Sequence, residues 1–185
     1  MNLIVFPLKH ENPFPVKIKT GEPEKIDEKT MILCTGIGSG GAENLGNVLS
    51  NYPEIEKVIE FGSAATISKG RVGSIYECTL FLSFEGSVLA TSGRITKLPI
   101  CAVTGTDELY EGTGFEWADK LDFPLIYTME TLTFRNIVTN FRKEFISLRI
   151  VTDDGTGDIR SQVAEQINLS KKKIRNLLTG IKNGN

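Results

Sequence analysis

Four short stretches hold residue types that could do chemistry, and each follows an apolar run. Arg149-Ile150-Val151-Thr152-Asp153-Asp154-Gly155 carries a β-branched strand into two carboxylates. An Asp that leaves a strand for a glycine-containing loop serves as a turn or cap residue. The same place is where an α/β enzyme keeps an acid or base. Tyr127-Thr128-Met129-Glu130-Thr131 runs an apolar strand into a helical pattern, with Glu130 at the first turn near the positive end of the helix dipole. A carboxylate is favourable there in any helix. Phe61-Gly62-Ser63-Ala64-Ala65 follows the Lys57–Phe61 strand with small residues that leave room for a ligand and offer Ser63 as a hydrogen-bond donor. A plain small-residue turn has the same composition. Thr35-Gly36-Ile37-Gly38-Ser39-Gly40-Gly41 joins a strand to a helix, where glycines such as Gly38 let backbone approach a ligand. Its spacing gives neither a clean G-x-G-x-x-G nor a Walker loop, and a tight strand-to-helix turn explains it equally.

The elements that must position these residues show in the hydrophobic pattern. Strand-length apolar runs are Asn2–Phe6, Met31–Thr35, Lys57–Phe61, Ser74–Ser83, Ser87–Ala90, Ile100–Val103, Leu125–Thr128 and Phe145–Thr152. Several are continuous and β-branched, as in central strands covered on both faces. Helical stripes lie between them: Ala42, Leu45, Val48 and Leu49; Phe134, Ile137, Val138 and Phe141; Ile174, Leu177, Leu178 and Ile181. Interleaved helices and strands predict a layered α/β fold. The turn residues Glu85-Gly86 inside Ser74–Ala90 suggest antiparallel pairing, so the sheet is expected to be mixed. Lys9–Lys29 is rich in Pro, Lys and Glu and is expected to be loop, with a short strand at Val16–Lys19. All four chemical stretches then fall at strand C-terminal ends, on one edge of one sheet.

Composition narrows the function classes. A chain of 185 residues suits one domain, taken as 1–185. With 21 basic and 23 acidic residues, net −2, there is no electrostatic case for a nucleic acid or anionic membrane partner. The basic run Lys171–Lys173 fits a solvated helix face. No apolar run approaches the roughly 20 residues that a bilayer span requires. The apolar start Met1–Pro7 lacks the basic region and cleavage site of a signal peptide. A cytoplasmic protein is expected. Cys34, Cys78 and Cys101 are widely spaced in apolar contexts and are expected to be reduced packing residues. One histidine, His10, leaves no basis for a histidine-rich metal site.

Taken in order, the stretches resemble a known family. Thr35-Gly36-Ile37-Gly38, Phe61-Gly62-Ser63-Ala64 followed by Val72-Gly73, Thr104-Gly105, Phe123-Pro124, Met129-Glu130 and Arg149-Ile150-Val151-Thr152-Asp153 are similar to the successive motifs of the nucleoside phosphorylase and nucleosidase superfamily. The resemblance is greatest to the methylthioadenosine/S-adenosylhomocysteine nucleosidases and runs from about residue 31 to 155. It departs at Ala65-Thr66, where the family has two glycines, at Ser74 in place of an aspartate, and at Thr131 in place of an alanine.

The resemblance implies a three-layer α/β fold, a central mixed sheet flanked by helices, and a homodimer. It implies cleavage of the N-glycosidic bond of a purine-type nucleoside, with no metal or organic cofactor. Asp153 would protonate the leaving base, and Glu130 would hold the ribose hydroxyls. Met129 would pack on the sugar, and Ser63 would lie near the anomeric carbon. Leu109 or Tyr110 would lie near the base. Glu11, at about the right distance from Met1, would match the glutamate that activates water. Protonation makes the base a better leaving group, and a carboxylate on the sugar stabilises positive charge in an oxocarbenium-like transition state. Some purine phosphorylases place an arginine where this chain has Glu60, so water is favoured over phosphate as nucleophile. The alternatives are a phosphate-dependent phosphorylase, with Arg71 or Arg94 as the cation, a non-catalytic nucleoside-binding relative, and a generic nucleotide-binding domain built on the Gly36–Gly41 loop alone.

Overall fold

The computed structural model describes residues 1–182. In chain order its elements are β1 (Asn2–Phe6), β2 (Glu24–Asp27), β3 (Thr30–Cys34), α1 (Gly38–Asn51), β4 (Lys57–Ser68), β5 (Ile75–Leu82), β6 (Val88–Thr91), β7 (Ile100–Thr104), β8 (Leu125–Tyr127), α2 (Thr131–Asn140), β9 (Glu144–Asp153) and α3 (Ile159–Lys182). The strands form one mixed sheet in the order β2-β3-β1-β4-β8-β7-β5-β6, with β9 bridging β4 and β5. The β1–β3, β1–β4, β4–β9, β5–β7 and β7–β8 pairs are parallel, and the other pairs are antiparallel.

The sheet closes on itself at one end. Strands β4, β8, β7, β5 and β9 pair in a ring, while β1, β3 and β2 extend from β4 as an open sheet. The length of β4 makes this possible. Lys57–Glu60 pair with β1 on one side, and Ala65–Ser68 pair with β8 farther along.

Helices cover both faces, as the three-layer expectation requires. Leu45, Val48 and Leu49 of α1 and Phe134 and Val138 of α2 pack on Leu3, Val5, Leu33 and Val58. On the opposite face, Ile167, Ile174, Leu178 and Ile181 of α3 pack on Ile4, Phe6, Ile32, Ile59, Phe61, Leu148 and Ile150. Alternate residues of β1 thus feed opposite cores, the period-two rule of a strand buried on both sides.

Three local expectations change. The Lys57–Phe61 strand continues to Ser68, so Gly62, Ser63, Ala64 and Ala65 lie within a strand and form no turn. In-register pairing with β9, from Lys57↔Glu144 to Ala65↔Asp153, overrides the weak strand propensity of these small residues. No strand forms at Val16–Lys19; instead β2 adds antiparallel to β3 at Glu24–Asp27. Helix α2 stops at Asn140, leaving Phe141 as its C-cap rather than part of its stripe.

Candidate active site

Two oppositely charged side chains meet inside the sheet with almost no contact with water. Glu60 on β4 and Arg149 on β9 are 0% and 1% exposed. The register pairs Glu60 with Ser147 and Gly62 with Arg149, so the guanidinium lies across Gly62 toward Glu60. Arg149 Nη2 pairs with Glu60 Oε1. It also donates to Thr131 Oγ1 at 2.6 Å, and Ser147 Oγ donates to Glu60 Oε2 at 2.8 Å. Glycine at position 62 is a steric requirement, because a Cβ there would stand 2.2 Å from Arg149 Nη1.

Glu11 reaches the same place from the other end of the chain. It closes a 3-10 turn, Lys9–Glu11, just after β1, and it is buried. Its Oε2 accepts from the Leu8 N–H at 2.8 Å, and its Oε1 accepts from the Ser63 N–H at 2.7 Å and the Ser63 hydroxyl at 2.8 Å. Glu130 is the N-cap residue of α2 and is also buried. Its own backbone N–H donates to the carboxylate, and among the described residues no other residue does, which leaves acceptor capacity for a ligand.

The electrostatics follow from three carboxylates sharing one guanidinium. Burial pushes the Glu130 carboxyl up to about 7, with Arg149 pulling down and Glu11 and Glu60 adding to the rise. Burial also pushes Glu60 up, against Arg149, Ser147 and Thr131. For Arg149, burial works against the charge, and Glu60 and Glu130 outweigh it. Three donors converge on Glu60, so the geometry is that of an ion pair with Glu60 as acceptor.

Asp153 ends β9, roughly 13 Å along the strand from Arg149 at the usual rise per residue. Its Oδ2 receives a 2.7 Å hydrogen bond from Thr152 Oγ1 and its Oδ1 a 3.0 Å bond from the Gly155 N–H. Gly155 has φ +79°, and a Cβ there would meet the Tyr110 ring at 2.6 Å, so the Asp153 loop lies directly on Tyr110. Tyr110 in turn stacks on Tyr127, with ring centroids 5.2 Å apart. Leu109 and Tyr110, with Phe84, Phe115 and Tyr127, line a cavity of about 450 Å³. Glu11, Ser63, Glu130 and Asp153 do not line that cavity. Met129 packs against the cluster that holds Tyr110, Phe115 and Tyr127. Gly38 opens α1 with φ +62° and open space around it.

Glu11, Ser63 and Glu130 therefore gather around one guanidinium, while Tyr110 lies beside the Asp153 loop, with Leu109 lining the same cavity and Met129 packed on the same aromatic cluster. The Glu60–Arg149 pair is what the motifs alone did not disclose. Its signal was a single charge in the apolar middle of each strand, negative in Val58–Phe61 and positive in Leu148–Val151.

No protein-family model matches the sequence, and no curated protein matches it. Solved structures do. The methylthioadenosine/S-adenosylhomocysteine nucleosidase of Chlamydia trachomatis superimposes with a TM-score of 0.75 at 15% identity, over 98% of this chain and 97% of that one. The chain has the nucleoside phosphorylase/nucleosidase fold. The same nucleosidase of Helicobacter pylori, solved with 5′-methylthioadenosine in its active site, gives 0.73 at 11% identity, over 96% and 97% of the two chains. The futalosine hydrolase of that organism gives the same values, so more than one nucleosidase activity uses this fold.

Proposed function

We propose that this chain is a nucleosidase that hydrolyses the N-glycosidic bond of a purine-type nucleoside. The observation that carries the proposal is the convergence of Glu11, Ser63 and Glu130 around Arg149. Three elements far apart in sequence bring a buried acceptor, a hydroxyl and a carboxylate bonded only by its own backbone to one point. The solved relatives of this fold act on methylthioadenosine, S-adenosylhomocysteine or futalosine, which makes those compounds the first to test.

In this mechanism Glu130 accepts hydrogen bonds from the ribose hydroxyls and fixes the ring. Met129 covers one side of the sugar. Asp153 gives a proton to the base as the bond to the anomeric carbon lengthens, and Tyr110 with Leu109 forms the base side. Glu11, oriented by Ser63, takes a proton from the attacking water. Positive charge on the sugar develops among carboxylates already in place, which lowers the barrier without reorganisation. Arg149 is committed to Glu60, which favours water over an oxyanion as the nucleophile.

Incubation with methylthioadenosine, S-adenosylhomocysteine, adenosine and futalosine, with and without phosphate, tests the proposal. Free base and free sugar without phosphate are expected, and Asp153→Asn should slow release about 100-fold or more while the fold persists. Strict phosphate dependence with a sugar-1-phosphate product would show a phosphorylase. Wild-type rates in Asp153→Asn would remove Asp153 as the acid.

We further propose a cytoplasmic homodimer. Among the described residues no helix is long and apolar enough to cross a membrane. Exposed Val88, Leu89, Ile95 and Ile100 around β6 support a covered face. Sedimentation at the 20.4 kDa monomer mass would overturn the dimer.

A further inference from the structure

Arg149 distributes its hydrogen bonds unevenly among its neighbours. Nη2 engages Glu60 and Thr131, Nη1 makes only a 3.4 Å contact with the Ser63 carbonyl, and Nε has no partner. Glu11 and Glu130 also act on Arg149 through their charges, yet neither accepts a hydrogen bond from it. The charged and titratable groups facing this point are Glu60 from β4, Arg149 from β9, Glu130 from the start of α2, Glu11 from the turn after β1, and the Cys78 and Cys101 thiols from β5 and β7. A guanidinium surrounded by carboxylates in a dry site turns to whichever is best placed, because the attraction is strong and weakly screened. Glu60 is best placed because its own position is fixed. It lies on the strand paired with β9, and Ser147, its cross-strand partner, holds the second carboxylate oxygen.

We propose that Glu60 is a positioning residue: by engaging Nη2 it keeps Arg149 off Glu130 and Glu11, so that these two carboxylates stay open to the sugar hydroxyls and the attacking water. The assignment rests on the nucleosidase roles given above to Glu11 and Glu130. Without the Glu60 charge, Arg149 would swing to Glu130 and occupy the group that should hold the substrate. The consequence is a loss in substrate binding that exceeds the loss in turnover.

Glu60→Gln keeps the side-chain shape and removes the charge, while Glu60→Asp keeps the charge on a shorter arm. A crystal structure of Glu60→Gln is expected to show Arg149 hydrogen-bonded to Glu130. Carboxyl-labelled NMR should show Glu130 titrating about one unit or more lower, and KM at pH 7 should rise about tenfold with a smaller change in kcat. Glu60→Asp should recover most of both. An Arg149 that stays in place in folded Glu60→Gln overturns the proposal whatever the kinetics. If Glu60→Gln does not fold, the wild-type protein decides. Glu60 should remain a carboxylate through the range in which Glu130 titrates, and a Glu60 that takes up a proton there would have released Arg149. The titrations need no turnover. Wild-type protein that cleaves no nucleoside while Arg149 still moves onto Glu130 in Glu60→Gln would sink the enzyme reading and leave the positioning intact.

Discussion

The Glu11 carboxylate accepts hydrogen bonds from both the backbone N–H and the hydroxyl of Ser63, at 2.7 and 2.8 Å, across 52 residues of sequence. One oxygen thereby fixes the turn after β1 onto the middle of β4. Glu11→Gln can keep the acceptor oxygen on Ser63 but cannot take a proton from water. The fold should survive, and kcat should fall about 100-fold or more. Ser63→Ala removes one donor and leaves the backbone contact, so its loss should be smaller, about 1 kcal/mol. Steady-state kinetics on the pair check the order, and a larger loss in Ser63→Ala would contradict it.

Glu130 gives a pH signature in binding. Only when ionised does it offer charged acceptor oxygens without a proton of its own, and burial pushes its carboxyl up to about 7. The fraction ionised rises about tenfold from pH 6 to pH 8, so KM should fall by about that factor over the interval. Glu130→Gln should have a high KM that is flat with pH.

The same group gives an opposite signature in stability. The unfolded chain releases this proton near 4.5 and the folded chain at about 7. Between these values the folded state binds more protons, so the stabilisation present at low pH is lost as pH rises toward 7 and beyond. The loss is about 3 kcal/mol over the window. Glu130→Gln removes it, so the variant should gain on wild type in urea melts at pH 8 and lose that advantage toward pH 4.5.

Gly62→Ala places a Cβ 2.2 Å from Arg149 Nη1 and 3.3 Å from Glu11 Oε1. Arg149 is pinned by Glu60 and cannot retreat cheaply. Overpacking of this kind costs about 1–3 kcal/mol. A lower melting temperature and reduced kcat should appear together.

Periodicity made most of the scaffold legible. The β-branched runs at β1, β3 and β9 and the stripes of α2 and α3 are local patterns, and packing reinforced them. Asp153 at the end of β9 and Glu130 at the start of α2 were legible for the same reason. The polar strand β2, with only Ile26 packed inward, carries no apolar alternation to find. The second half of β4 was hidden because Gly62, Ser63 and Ala64 owe their strand to β9, whose sequence is more than 80 residues away. The Glu11–Ser63 contact and the Glu60–Arg149 pair were hidden for a related reason. Each contact exists only after β1, β4 and β9 lie side by side, and no local pattern encodes that meeting.

Strand β4 belongs at once to the open sheet and to the closed ring. A zipper that opens from its free end cannot start there, because β4 is paired with β1 and β9 at Lys57–Glu60 and with β8 and β9 at Ala65. The amides of Phe61 and Ile150 should therefore exchange with solvent only when the whole chain opens, while those of β2 and β6 exchange earlier. The carboxylate cluster is thus mounted on the last part of the molecule to come apart. On heating, catalysis should persist while the periphery frays, and then vanish in the same step as the fold.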